Sequence, residues 1–263
     1  MIMGTYNPSN KIFKSVESIL NQSYTNFEFI IYNDGSTNPQ SQSYIQQIAK
    51  LSNKIVLIQS EQNQGLAYAL NQCIKAANTD ILIRMDDDDI SHPNRIEKLV
   101  SYASKYPEMA VIGTWTTLRS TSTKEWGVNR PPANPVLKDV FKGNAFAHAS
   151  ALLQRKALKD VDYYSVDASC NRLEDYDLWL KLYLKGYKGI NIKEYLYHIL
   201  EDLKSVRKRS TKFRLNEFRL KYKYSCSINL PLLLKIRVVL KPLVLILIPL
   251  RLYLRIRKLI RRK

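Results

Sequence analysis

Short apolar runs alternate with helical periodicities from Ile2 to about residue 105, and this alternation constrains the fold more than any other feature of the chain. Ile2-Met3 reads as a very short first strand, ended by Tyr6-Asn7-Pro8. Ile12, Phe13, Val16, Ile19 and Leu20 then mark one face of a helix, with Ser9 or Asn10 near its start. Phe27 to Tyr32 reads as a second strand, closed by the turn residues Asn33-Asp34-Gly35-Ser36. A helix over 40–51, a strand over 55–59, a helix over 66–77 after Gly65 and a strand over 80–85 follow. Pro93 suits the first residue of a helix running to about 105. Such an order predicts an α/β fold built on a mostly parallel, doubly wound sheet. Right-handed crossovers put the loops after Met3, Tyr32 and Met85 on one edge, where open α/β sheets bind ligands.

The third of those loops is the run Asp86-Asp87-Asp88-Asp89, delivered by the buried-strand signature Ile81-Leu82-Ile83. Four neighbouring carboxylates repel one another and raise each other's pKa unless a cation sits among them. Oxygen donors of this kind suit Mg²⁺ or Mn²⁺ held by one or two carboxylates plus substrate phosphates. A bare acidic run also reads as a solvated loop, and its place after a buried strand is what favours a metal–nucleotide site. The chain lacks GxGxxG and GxxxxGK[ST] loops, which argues against dinucleotide and P-loop binding. Cys73, Cys170 and Cys226 are scattered with no CxxC spacing, so neither a disulfide framework nor a zinc site is expected, and a reducing cytosolic face is the natural compartment.

Charge divides the chain into a body, 1–205, and a tail, 206–263. The tail carries 18 of the 41 Lys and Arg but a single acid, Glu217, giving it a net charge of +17 against +1 for the body. Its longest uncharged stretch, Pro242 to Leu250, has nine residues, far short of the roughly 20 needed to span a bilayer. Aliphatic runs beside Lys235, Arg237, Lys241, Arg251, Arg255, Arg257 and Lys258 suit a basic amphipathic helical segment lying on an anionic membrane surface. Packing on the body, or on a second copy in a homo-oligomer, is the next reading. Nucleic acid ranks below both, because a nucleic-acid arm has no use for Leu243-Val244-Leu245-Ile246-Leu247-Ile248.

The body resembles the inverting glycosyltransferases of family 2, which have a GT-A fold. The matching stretches, in family order over about residues 1–200, begin with Thr5-Tyr6-Asn7, Ser18 to Tyr24, Phe27 to Ile31, Asn33 to Thr37 and Asn63-Gln64-Gly65-Leu66. Arg84 to Ser91, Pro93-Asn94-Arg95 and Glu174-Asp175-Tyr176-Asp177-Leu178-Trp179 complete the set. It looks most like bacterial members that build capsular or exopolysaccharide repeat units.

The resemblance implies that Asp86 lies near the ribose and metal and that Asp88 binds the cation holding the sugar-nucleotide diphosphate, with Asp87 at the variable position between them. It implies that Thr5, Tyr6, Asn7, Asn33, Asp34, Gln64, Gly65 and Arg84 line the nucleotide, and that His148, Glu174 and Trp179 flank the sugar or acceptor. Asp175 matches the family's catalytic base, which takes the proton of the attacking hydroxyl. Acids at a helix start are favoured by the dipole in any case, and a histidine beside an apolar strand is often structural, so Asp175 and His148 also have non-catalytic readings. Asn33 stands where the family commonly has Asp; it can accept from a uracil N–H, but its amide also donates. Tyr197-His198 stands where many members have Tyr-Arg. The chain starts almost inside its first strand, which predicts that strand to be weakly held.

The resemblance implies a metal-dependent, inverting enzyme that moves a sugar from a nucleotide-sugar, with UDP-sugar expected, to a lipid-linked saccharide. Its expected place is the cytoplasmic face of the cell membrane, bound peripherally, and a chain cut near Tyr224 is expected to keep the donor site. A catalytically degenerate, membrane-tethered interaction protein of the same fold is the alternative.

Overall fold

The computed structural model describes residues 1–120, 125–200 and 210–261. Strands β1 (Ile2–Thr5), β2 (Phe29–Asn33) and β3 (Ile55–Gln59) form a parallel sheet in the order β1-β2-β3. Helices α1 (Lys11–Leu20), α2 (Pro39–Ala49) and α3 (Leu66–Ala76) supply the crossovers. Asn38 caps α2 by accepting from the N–H groups of Gln40 and Ser41, with Pro39 as the first helical residue. The strand β4 (Ile81–Ile83) follows and continues the sheet, because Arg84 bridges Ile2 in parallel and Met85 N–H donates to the Ile2 carbonyl at 3.0 Å.

The second half of the sheet is mixed. After β5 (Ile90–Ser91) and α4 (Arg95–Lys105) come β6 (Met109–Arg119), β7 (Glu125–Asn129), α5 (Leu137–Lys142), β8 (Leu152–Gln154), α6 (Arg155–Asp160), α7 (Glu174–Leu184) and β9 (Lys188–Leu200). Their order is β4-β8-β6-β9-β5, with β7 paired to β6; β8 runs antiparallel to both neighbours and β9 parallel to β6. Side chains alternate across this sheet: Ile2, Ile30, Leu82 and Leu153 enter one apolar cluster, while Met3, Ile31, Ile83 and Leu152 enter the other. Burial on both faces explains why these strands read as continuous apolar runs rather than alternating ones.

Three expectations need correction. The first strand is not weakly held: Ile2 and Met3 are fully buried, and β1 lies between β2 and the start of the Asp loop. Pro93 does not begin a helix, because Ile90–Ser91 first pairs with Tyr197 and His198 of β9, and α4 starts at Arg95. The basic segment is not separate from the body. Its helices α8 (Thr211–Ser227), α9 (Leu232–Leu247) and α10 (Leu250–Ile260) place Leu220, Tyr224, Ile228, Val238 and Val239 in the same core cluster as Leu178 and Trp179. The boundary expected at residue 205 falls within 201–209, outside the described residues. No helix among the described residues is long and apolar enough to cross a membrane.

Candidate active site

The carboxyl ends of β1, β2 and β4 carry the three predicted loops, and these are tied to one another. Asn7 sits at φ +49°, and its Oδ1 accepts from the N–H groups of Thr37 and Asn38, both at 2.9 Å. The Asn33 side chain accepts from Ser36 N–H at 3.1 Å, the turn bond an aspartate would also make. Asp34 is 2 % exposed, and its two carboxylate oxygens accept from the N–H groups of Gln64 (3.0 Å) and Gly65 (2.7 Å). It therefore clamps the turn before α3 against the turn after β2. Gly35 makes that approach possible: at φ +68°, a Cβ there would lie 2.5 Å from the Gln62 backbone. Thr5 donates to Asp87, and Tyr6 stands half exposed at the rim.

Behind the Asp loop lies a buried cationic support. Arg84 is 2 % exposed and its guanidinium donates to Asp86 at 2.6 Å; burial opposes its charge, but the Asp86 carboxylate raises its pKa overall. Arg95 is fully buried, donating to Ser91 Oγ (2.8 Å) and to the Arg84 carbonyl (3.1 Å) over the ring of Tyr197. Tyr197 in turn accepts from the Asp86 N–H, and Asp89 accepts from the Leu200 N–H at 2.8 Å. Burial, opposed by the Thr5 hydrogen bond, and repulsion from Asp88 and Asp86 push Asp87 up to about 7. Burial and Asp86 raise Asp88, and the same causes hold Asp89 well above the carboxylate range.

That arrangement can be tested for a divalent cation. Among the described residues, no three His, Cys, Asp or Glu side chains converge as a closed metal cage. Asp86 and Asp88 offer two carboxylates from one loop, the open donor set that suits Mg²⁺ or Mn²⁺ completed by water and phosphate oxygens. The raised carboxyls are those a bound cation would return to the ionised state. The residues present fit such an ion.

Glu174 and Asp175 open α7, with Asp177 in the same first turn. Asp175 accepts from the Tyr176 N–H at 2.7 Å. Burial, the Asp175 charge and, more weakly, the Asp86 charge push Glu174 up to about 7, so the start of α7 and the Asp loop share one electrostatic neighbourhood. A cavity of about 210 Å³ has Gln64 and Gly65 on one side and Ser165, Asn171 and Glu174 on the other. His148 pairs through Nε2 with the Tyr164 hydroxyl at 2.7 Å, and burial together with Arg84 keeps its pKa well below the usual value, so the imidazole is neutral. Trp179 is 4 % exposed, wedged against Phe146 and His148; it lies in the core behind the histidine, not at the cavity wall. His198 faces Thr117 through Nδ1 at 2.6 Å, and burial and Arg119 lower it to about 4.

Sequence reasoning assigned no role to Arg95, Tyr164, Tyr197 or Asp89, which hold the site from behind. A charged residue at the first position of a helix with a buried apolar face was the available signal for Arg95. For Tyr164, in the segment between α6 and α7, the sequence carried none.

Comparison with known proteins agrees with this geometry. The model of glycosyl transferase family 2 matches residues 1–162. The chain is 34 % identical over 235 residues to the putative glycosyltransferase EpsE of Bacillus subtilis, covering 88 % of this chain and 83 % of that one. It is 26 % identical over 229 residues to UDP-Gal:alpha-D-GlcNAc-diphosphoundecaprenol beta-1,3-galactosyltransferase of Escherichia coli, covering 85 % and 82 % of the two chains. The fold is like that of the mannosyltransferase PcManGT from Pyrobaculum calidifontis, solved in complex with GDP-Man and Mn²⁺, at a TM-score of 0.67, 16 % identity, and coverage of 92 % of this chain and 67 % of that one.

Proposed function

The chain belongs to glycosyl transferase family 2, and from that premise we propose that it moves a sugar, with inversion, from a UDP-sugar to a lipid-linked saccharide in cell-surface polysaccharide synthesis. The observation that carries this reading is the shared cavity: the Gln64-Gly65 turn, clamped by Asp34, faces Glu174 at the start of the helix that bears Asp175. Nucleotide-side and acceptor-side residues thus meet across one small space. The E. coli relative's name, with its UDP-sugar donor and diphosphoundecaprenol acceptor, supports the same donor and acceptor classes here.

In this reading Tyr6, Asn7 and the Asn33-Asp34 turn hold the nucleoside, and Asp86 and Asp88 hold Mg²⁺ or Mn²⁺. A divalent ion there supplies neutralisation of the charge that develops on the leaving diphosphate. Asp175 takes the proton of the acceptor hydroxyl as that oxygen attacks the anomeric carbon from the face opposite the diphosphate. Glu174, pushed up to about 7 by burial and the Asp175 charge, can itself exchange a proton near neutral pH and is the next candidate base beside Asp175. His148, neutral and fixed by Tyr164, orients the sugar instead of trading protons. No observation favours the degenerate binder, since the cavity is open and Asp86, Asp88 and Asp175 are all present.

We place the protein peripherally on the inner face of the cytoplasmic membrane. Leu232, Leu233, Ile236, Leu240, Val244 and Leu247 leave an exposed apolar stripe on α9, within the strongly basic segment.

Asp175→Asn tests the enzymatic core of this proposal. The amide keeps the shape but takes no proton at neutral pH, so donor binding should persist while transfer falls by about 10² to 10⁴. Calorimetry with UDP-sugars and Mn²⁺, beside a transfer assay, reads both; unchanged turnover would refute Asp175 as the base.

A further inference from the structure

A second cavity lies apart from the one at Glu174. It measures about 710 Å³ and lies at the seam where the C-terminal helices meet the body. Arg130 follows β7, Lys142 ends α5, Arg237 and Lys241 stand one turn apart on α9, and Arg261 follows α10; all five line it, and no carboxylate does. Leu234 and Val238 supply its apolar wall.

Two features make this more than a basic surface. Arg130 is held in place: its guanidinium lies over the rings of Trp115 and Tyr195, at 5.7 and 5.6 Å, and donates to the Tyr195 hydroxyl. A cation fixed this way loses little rotamer freedom when it binds an anion. The opposite wall closes through the backbone, where Val128 N–H donates to the Arg261 carbonyl at 2.9 Å. The chemistry that matches such a space is a multiply charged anion attached to an apolar chain. Phosphate oxygens would meet the five cations, and the chain would leave along α9, whose exposed Leu233, Ile236 and Leu240 border Arg237 and Lys241.

The cavity is also fastened to the base helix. The hydroxyl of Tyr176, next to Asp175, donates to the Phe141 carbonyl at 2.8 Å, immediately before Lys142. The segment that carries Lys142 is therefore tied to the helix that bears Asp175.

We propose that this seam cavity is a binding site for the phosphate headgroup of a membrane lipid, and that it takes the diphosphate of a lipid-linked saccharide. The proposal rests on the glycosyltransferase reading only for the identity of that lipid; the site itself does not require catalysis.

The test uses the full chain and vesicle sedimentation in the absence of any donor. Phosphatidylcholine vesicles are doped in one arm with a polyprenyl diphosphate and in the other with phosphatidylglycerol at equal charge. Arg237→Gln with Lys241→Gln removes two exposed cavity cations, and Lys235→Gln with Arg255→Gln removes two tail cations outside the cavity. General surface attraction, about 1 kcal/mol or roughly fivefold for each cation, is lost by either pair, and the cavity pair should lose about tenfold more with its charge-assisted bonds to the diphosphate. The outside pair should lose only the general part. Inorganic pyrophosphate should compete with the vesicles for wild type and not for the cavity pair. A selective loss confined to the diphosphate lipid assigns the site to the acceptor, and an equal selective loss in both arms assigns it to phospholipid headgroups. Equal weakening by both pairs, with no competition by pyrophosphate, overturns the site. Unchanged thermal unfolding of both pairs confirms that folding is intact. A chain that binds diphosphate vesicles through the cavity but transfers no sugar would leave the site standing and remove only the enzymatic reading.

Discussion

Replacing Tyr224 by phenylalanine deletes one hydroxyl and keeps the ring, which isolates a single contact between the C-terminal helices and the body. That hydroxyl donates to Asp177 at 2.6 Å. Asp177 is 2 % exposed, and its other oxygen accepts from Ser165 at 2.6 Å with the Lys181 ammonium 3.7 Å away. Burial and the bond to Asp177 raise the Tyr224 pKa, so the phenol stays the donor and the carboxylate the acceptor. A hydrogen bond to a buried charged group contributes about 1.5–3 kcal/mol, and the carboxylate left behind has no water to replace it. The ring remains, so no cavity is created and about 2 kcal/mol is the expected loss. For a chain of this size that corresponds to a drop in Tm of roughly 4–8 °C. Urea and thermal unfolding of full-length Tyr224→Phe, beside Tyr222→Phe as a control, would measure it; Tyr222 is 60 % exposed, and its change should stay within about 0.5 kcal/mol. Two variants of equal stability would refute the docking of α8 on Asp177, and with it the shared core of body and tail. The same docking reverses the expectation for a chain cut near Tyr224, which would lose Ile228, Val238 and Val239 from the core and should be destabilised instead of remaining a sound body.

Asp88→Ala should weaken Mn²⁺-dependent binding of the nucleotide-sugar by at least about a hundredfold in calorimetry, the upper end of what losing a mere supporting partner costs a metal site; wild-type affinity with the same metal dependence would refute its role as ligand. Glu174 has a folded pKa of about 7 against an ordinary 4.5, so the folded state holds the extra proton and stability falls as pH rises through that window. The loss is about 2–3 kcal/mol at 1.36 kcal/mol per unit, and Glu174→Gln should flatten it in denaturant titrations between pH 4.5 and 7. High salt should release the protein only partly from anionic vesicles, because screening weakens the Lys and Arg attraction but leaves the apolar stripe of α9 in the interface; complete release would argue against burial of that stripe.

The parts of the fold legible in the sequence are those where local chemistry and final environment agree. Leu82 and Ile83 read as a buried strand because they enter the clusters on opposite faces of the sheet, although Ile81, expected buried with them, is 36 % exposed, and the Asp run read as a site because a strand end delivers it. The Asp34 clamp was legible only as a motif, since its two acceptor bonds depend on a turn some thirty residues away. Trp179 looked half available, yet the packing of Phe146 and His148 closes it off. The tail concealed its packed face most effectively. Its single acid, Glu217, accepts from both Arg214 and Lys221 at 2.7 Å, so two of the tail's 18 cations are paired and buried. Net charge cannot reveal such a local neutralisation.

The two anchors that β9 gives to the Asp loop carry a consequence for biosynthesis. Asp86 donates to Tyr197, and Leu200 donates to Asp89, each across 111 residues of chain. On a ribosome adding roughly 5–20 residues per second, the aspartates emerge some 5–20 seconds before the groups that hold them. Throughout that interval the nascent N-terminal half has its first sheet and the Arg84 and Thr5 contacts to the acidic loop, but neither of the two anchors from β9. The edge that bears the Asp loop can therefore be completed only late in translation, and a chain truncated before β9 would lack the Tyr197 and Leu200 anchors, however well its first three strands had formed.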